Sequence, residues 1–61
     1  MRAYALLVTT EDERSARAEA KRLKAAGYFA KAMFSIEDDD WGVYVSPPDD
    51  KEAAMAALMI P

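Results

Sequence analysis

The sequence predicts an α+β domain of order βαββα, a two-layer sandwich with a three-stranded antiparallel sheet of order 1-3-2 and both helices on one face. Three observations carry this. Strand-like runs, "RAYALLVT", "YFAKAMFSIE" and "WGVYVS", alternate with alanine-rich segments of helical spacing. Each alanine-rich segment opens on a capping-box pattern. Gly27 and the Pro47–Pro48 pair interrupt the chain where elements should end.

Residues 2–9 read as the first strand. Thr10, followed three residues later by Glu13, has the spacing of a capping box, so a helix is expected over residues 11–26. Within it Ala16, Ala20 and Leu23 fall on one face, and Gly27 supplies the left-handed residue that commonly ends such a helix. A second strand over residues 28–36 and a third over residues 41–46 flank the turn "EDDD". After Pro47 and Pro48, Asp49 and Glu52 mark the start of a second helix, "KEAAMAALMI".

This order restricts the topology. A right-handed crossover through the first helix makes strands one and two parallel, and the hairpin makes strand three antiparallel to strand two. Strand three therefore inserts between them, giving a split βαβ arrangement, most of a ferredoxin-like fold. The end of strand one, the start of helix one and the hairpin tip share one pole. Alternation places Ala30, Ala32, Phe34, Ile36, Leu6, Val8, Val43 and Val45 toward the helices. The same parity puts Leu7, Phe29, Lys31, Met33, Ser35 and Tyr44 on an outer face with no third layer over it. An uncovered apolar patch is a candidate ligand or partner surface.

Sixty-one residues make one domain, and a domain so small buries only about 60% of the surface its unfolded chain exposes. Cysteine and histidine are both absent, which excludes a disulfide framework, a thiolate metal site and the commonest general base. Ser15, Ser35 and Ser46 have no histidine to activate them. Asp38, Asp40 and Gly42 faintly suggest a calcium loop, but the glycine is misplaced and the bidentate glutamate is missing. Neither a cofactor nor a metal is expected, and the reading is non-enzymatic. No basic region leads into a long apolar run, so a soluble, cytoplasmic protein is expected.

The formal charge of −3 conceals a segregation. Residues 14–36 carry six cations against Glu19, whereas residues 37–52 carry seven carboxylates against Lys51. Arg14, Arg17, Lys21 and Lys24 form a ridge along helix one, read as a solvated face, since the acidic balance and the lack of interleaved aromatics speak against direct nucleic-acid binding. Carboxylates opening a helix are favoured by its dipole. A turn needs only one or two of the hairpin acids. Glu37, Asp38, Asp39 and Asp40, with Trp41 as an aromatic anchor and Glu11 and Asp12 at the same pole, are therefore the candidate partner-binding site. The expected partner is a protein or protein complex with a basic surface, one that normally holds nucleic acid being the natural type.

"YALLV", the helix "AEAKRLKAAGYFAKA" and "WGVYVSPPDDKEAAMAAL" together resemble the SPOR (sporulation-related repeat) domain across nearly the whole chain. That family pairs an alanine-rich helix ending in Gly-Tyr with an aromatic-V-x-V strand and a proline turn. The resemblance implies a glycan-binding module that uses the outer sheet face, at Phe29, Met33 and Tyr44. The family's fourth strand has no counterpart here, which leaves the strand-one edge unpaired and able to join its own copy in a homodimer or a strand of another protein. In size and charge the chain also resembles the small inhibitors of bacteriophages and mobile elements, anti-CRISPR proteins among them. That resemblance implies an inhibitor or adaptor acting through its acidic pole.

Overall fold

The computed structural model describes residues 2–59. Strand β1 (Ala5–Thr10) leads to helix α1 (Glu13–Ala25), then β2 (Phe29–Ser35), β3 (Asp40–Ser46), a 3-10 turn (Pro48–Asp50) and helix α2 (Lys51–Met59). The sheet order is β1-β3-β2, with β3 antiparallel to both neighbours, as the connectivity requires. Ile60, expected in the second helix, lies outside the described residues.

The core is one cluster between the sheet and the helices. Ala16, Ala20 and Leu23 from α1, Ala54 from α2, Leu7 from β1, Ala30 from β2, and Val43 and Val45 from β3 are buried, with Val8, Tyr28, Ala32, Trp41, Met55 and Leu58 packed around them. The predicted helical stripe is thus the buried one, and its small residues bring α1 close to the sheet. Gly27, at φ 100°, ends α1 as predicted: its amide donates to the Lys24 carbonyl and the Tyr28 amide to the Leu23 carbonyl, each at 3.0 Å, the bond pair of a Schellman motif. Across the helices, the Arg22 guanidinium donates to the Leu58 carbonyl at 3.3 Å, near the C-terminus of α2.

Both expected capping boxes are absent. The α1 N-cap is Asp12, whose side chain makes no cap bond, while the Thr10 hydroxyl donates to the Asp12 carbonyl at 2.8 Å. The Glu13 carboxylate instead reaches forward to Arg17 at 2.6 Å, an i,i+4 pair that competes with reaching back. Helix α1 consequently starts at Glu13 rather than residue 11, so Glu11 and Asp12 precede it. At α2, Pro47 caps the 3-10 turn without a side-chain bond, and Asp49 and Asp50 lie in that turn.

Parity fails in β1. Ala5 and Leu6 pair with Val45 and Tyr44, but the next pair is Val8 with Val43, so the register shifts between Leu6 and Val8. A bulge adds one residue to one strand and resets which face its side chains take. Leu7, expected outside, is therefore in the core at 6% exposure; Leu6, expected inside, is 41% exposed. Ile36 was also expected inside, but it leaves the strand and is 87% exposed. Phe34 keeps the helix-side parity yet is 42% exposed.

The bulge is testable by comparing two substitutions. Leu7→Ala should lower stability in urea unfolding by about 2–5 kcal/mol, the range for a buried leucine, while Leu6→Ala should cost less than about 1 kcal/mol. Unshifted alternation requires the opposite ranking.

Candidate functional site

Two surfaces bring together the residues singled out from the sequence: the hairpin end and the outer sheet face. At the hairpin end, β2 and β3 close on the Ser35–Asp40 pair, and residues 36–39 form the turn. Asp39 adopts φ 54°, a left-handed conformation that Asp and Asn tolerate better than most residues. The Asp38 amide donates to the Ser35 hydroxyl, which donates in turn to the Asp38 carboxylate, both at 3.4 Å. Asp38 and Asp39 thus have local roles in shaping the turn. Glu37, Asp38, Asp39 and Asp40 form no ion pair with a cation among the described residues.

Register places Thr10 opposite Trp41, so Glu11 and Asp12 leave β1 at the same end as the turn, as expected. Trp41 does not project as a free anchor. Its ring meets Phe34 edge-on, centroids 5.6 Å apart and planes at 63°, on the helix side of the sheet. There it packs half-buried against the core. Ile36 and Phe34 are the apolar groups most exposed at this end, and neither was among the candidates. The signal lay in turn length: a turn of residues 36–39 removes Ile36 from the strand before alternation can bury it.

The outer face collects Leu6, Phe29, Lys31, Met33 and Tyr44, with Leu6 in place of Leu7. At its centre is Gly42. A β-carbon there would lie 2.8 Å from Tyr44 Cε1 and 3.0 Å from Leu6 Cδ1, so these two side chains cover the bare backbone of β3. Residues 2–4 cross the same face instead of extending β1. The Arg2 guanidinium sits 3.6 Å from the Phe29 ring centroid, Lys31 Nζ 4.3 Å from the Tyr4 ring centroid, and the Ser46 hydroxyl donates to the Ala3 carbonyl. Arg2 therefore lies over Phe29, which is still 54% exposed, and does not guard the β1 edge. Phe29, Met33 and Leu6 are the exposed apolar side chains of the face, and Tyr44 is half-buried.

Among the described residues no group of carboxylates is arranged to hold a metal ion, and no helix is long and apolar enough to cross a membrane. The arrangement is suited to recognition by charge and by apolar contact. Comparisons with protein-family models, curated proteins and solved structures find no match to the chain.

Changing Asp38, Asp39 and Asp40 together to Asn should leave the thermal midpoint unchanged or a few degrees higher. Asn keeps the left-handed tolerance at position 39 and the oxygen acceptor at position 38 while removing like-charge repulsion. A scan monitored by circular dichroism checks this; a large fall in midpoint would mean that the turn requires the carboxylates themselves.

Proposed function

We propose that the protein is a non-enzymatic binding module whose acidic hairpin end docks onto a cation-rich surface of a protein complex. The observation that carries this is the make-up of the end: Glu37, Asp38, Asp39 and Asp40, without cation partners among the described residues, follow directly on an isoleucine that is 87% exposed. Adjacent carboxylates repel by about 1 kcal/mol per pair at 4 Å in water, and a facing set of arginines or lysines turns that repulsion into attraction. Charge at the rim speeds and orients encounter, while an apolar group at the centre slows dissociation. Ile36, more exposed than Phe34 or Trp41, takes the anchoring role.

A surface rich in cations is one built to hold a polyanion, so occupying it displaces nucleic acid from its site. This supports an inhibitor or adaptor of the kind made by phages and mobile elements, anti-CRISPR proteins included. A second reading, a glycan-binding module on the outer sheet face, is favoured by Tyr44 lying over Gly42 on the same face as the exposed Leu6 and Met33.

Affinity capture from bacterial lysate separates the two. The wild-type chain and the Tyr44→Ala variant should recover the same defined protein complex in low salt. The Asp38/Asp39/Asp40→Asn variant should lose it, and about 0.5 M salt should release it, since the Debye length then falls below the roughly 8 Å of physiological solution. Equal capture by the Asn variant rules out docking by the acidic end. Binding to peptide-free peptidoglycan strands that Tyr44→Ala abolishes would establish the glycan reading instead.

A further inference from the structure

The least protected sheet edge is that of β2. With order β1-β3-β2, both β1 and β2 are terminal strands. Strand β1 carries the bulge, which twists an edge away from further pairing. Strand β2 pairs with β3 in unbroken register over all seven residues from Phe29 to Ser35 and contains no proline. Its single lysine, Lys31, lines the cleft beside this edge and holds its ammonium 4.3 Å from the Tyr4 ring. A regular, proline-free edge is a template for an added strand.

Beside that edge runs an open cleft of about 450 Å³, lined by Arg17, Ala20, Lys21 and Lys24 of α1 and Lys31 and Ala32 of β2. Lys21 and Lys24 pair with no carboxylate among the described residues. Successive cations on the α1 ridge, Arg17 to Lys21 to Lys24, are separated by about 6 and about 4.5 Å along the helix axis. Alternate residues of an extended strand, which share a face, repeat at about 6.6 Å. Flexible lysine side chains readily span the difference.

We infer that this cleft binds an extended acidic segment of a partner protein, added as a fourth strand to the β2 edge, with carboxylates at alternate positions facing Arg17, Lys21 and Lys24. Main-chain hydrogen bonds to β2 supply affinity, and the cations select the acidic face. The intervening side chains of the added strand fall on the outer face beside Met33 and Phe29, so apolar residues suit those positions. Charge excludes a second copy as the occupant, because pairing β2 with β2 would bring two cationic ridges together. This surface is separate from the acidic hairpin end, and the inference does not depend on docking there.

The test uses an acetylated eight-residue peptide of alternating Asp and Val, titrated into the isotope-labelled chain in low salt. Slowed amide exchange within residues 29–35 is expected, together with at least tenfold weaker binding by Lys21→Glu/Lys24→Glu, whose fold is verified by circular dichroism. The Asp38/Asp39/Asp40→Asn variant should bind as wild type does, so failure of the hairpin proposal leaves this result intact. A peptide of the same composition with its four Asp in one block should bind at least tenfold more weakly; equal binding would overturn the inference. So would tighter binding of a ten-nucleotide oligothymidylate without protection of the β2 amides, which would make the cleft a phosphate site. No binding of the alternating peptide would overturn it as well.

Discussion

The close approach of α1 to the sheet, small residue against small residue, is the contact on which the other features depend. Ala16 and Ala20 are buried with Ala30, Val43 and Val45, and none of these side chains is large enough to hold the layers far apart. Leu23 fills the remaining space at the helix C-terminal end and is fully buried. Because α1 lies against β2 and β3, it leaves the β1 side to α2, whose buried contact is again an alanine, Ala54. The helix flank opposite α2 then overhangs the β2 edge, and the cations on that flank acquire a groove. A bulkier residue at position 16 or 20 would lift the helix and disturb both the core and the cleft.

Thinness follows from the same contact. The molecule measures 15 Å along its shortest axis, enough for one helix layer and one sheet layer. The outer face has no third layer, and the chain manages it locally: Tyr44 and Leu6 close over Gly42, while residues 2–4 fold back across Phe29, Lys31 and Ser46. Two cation–aromatic contacts and one hydroxyl–carbonyl bond hold that segment in place. Its path also brings the Tyr4 ring to within 4.3 Å of Lys31 Nζ.

Element order and the buried helix face were legible in the sequence because each was encoded redundantly. Ala16, Ala20 and Leu23 repeat at helical spacing, Gly27 stops the helix, and Val43 and Val45 alternate in the one strand with two neighbours. Strand one was legible as a strand but not in its facing. "ALLV" is apolar throughout, so alternation cannot show where the extra residue of a bulge sits, and Leu6 and Leu7 exchanged faces. The capping boxes failed for an energetic reason: Thr10 and Glu13 each had a competing partner, the Asp12 carbonyl and Arg17. Ile36 and Trp41 exchanged roles because a turn boundary, set by register, decides which apolar residue near it is buried. The acidic end itself was legible from charge alone, since carboxylates concentrated in one turn need no tertiary information to be found. The basic cleft was half legible: its ridge on α1 was visible, but the strand edge beneath it was a matter of helix placement.

The two charged surfaces cannot satisfy each other by the strand-addition mode proposed for β2. An added strand must be extended and must have a free edge of its own. Glu37, Asp38 and Asp39 lie in a turn, with Asp39 left-handed and Asp38 bonded back to Ser35, and Asp40 is already paired across the hairpin with Ser35. No run of alternating carboxylates in this chain meets the requirement, because the remaining acids lie at helix starts, in the 3-10 turn or within a helix. The two proposed modes therefore differ in kind: the acidic end would recognise cations through side chains, and the β2 edge would recognise an acidic segment through its main chain.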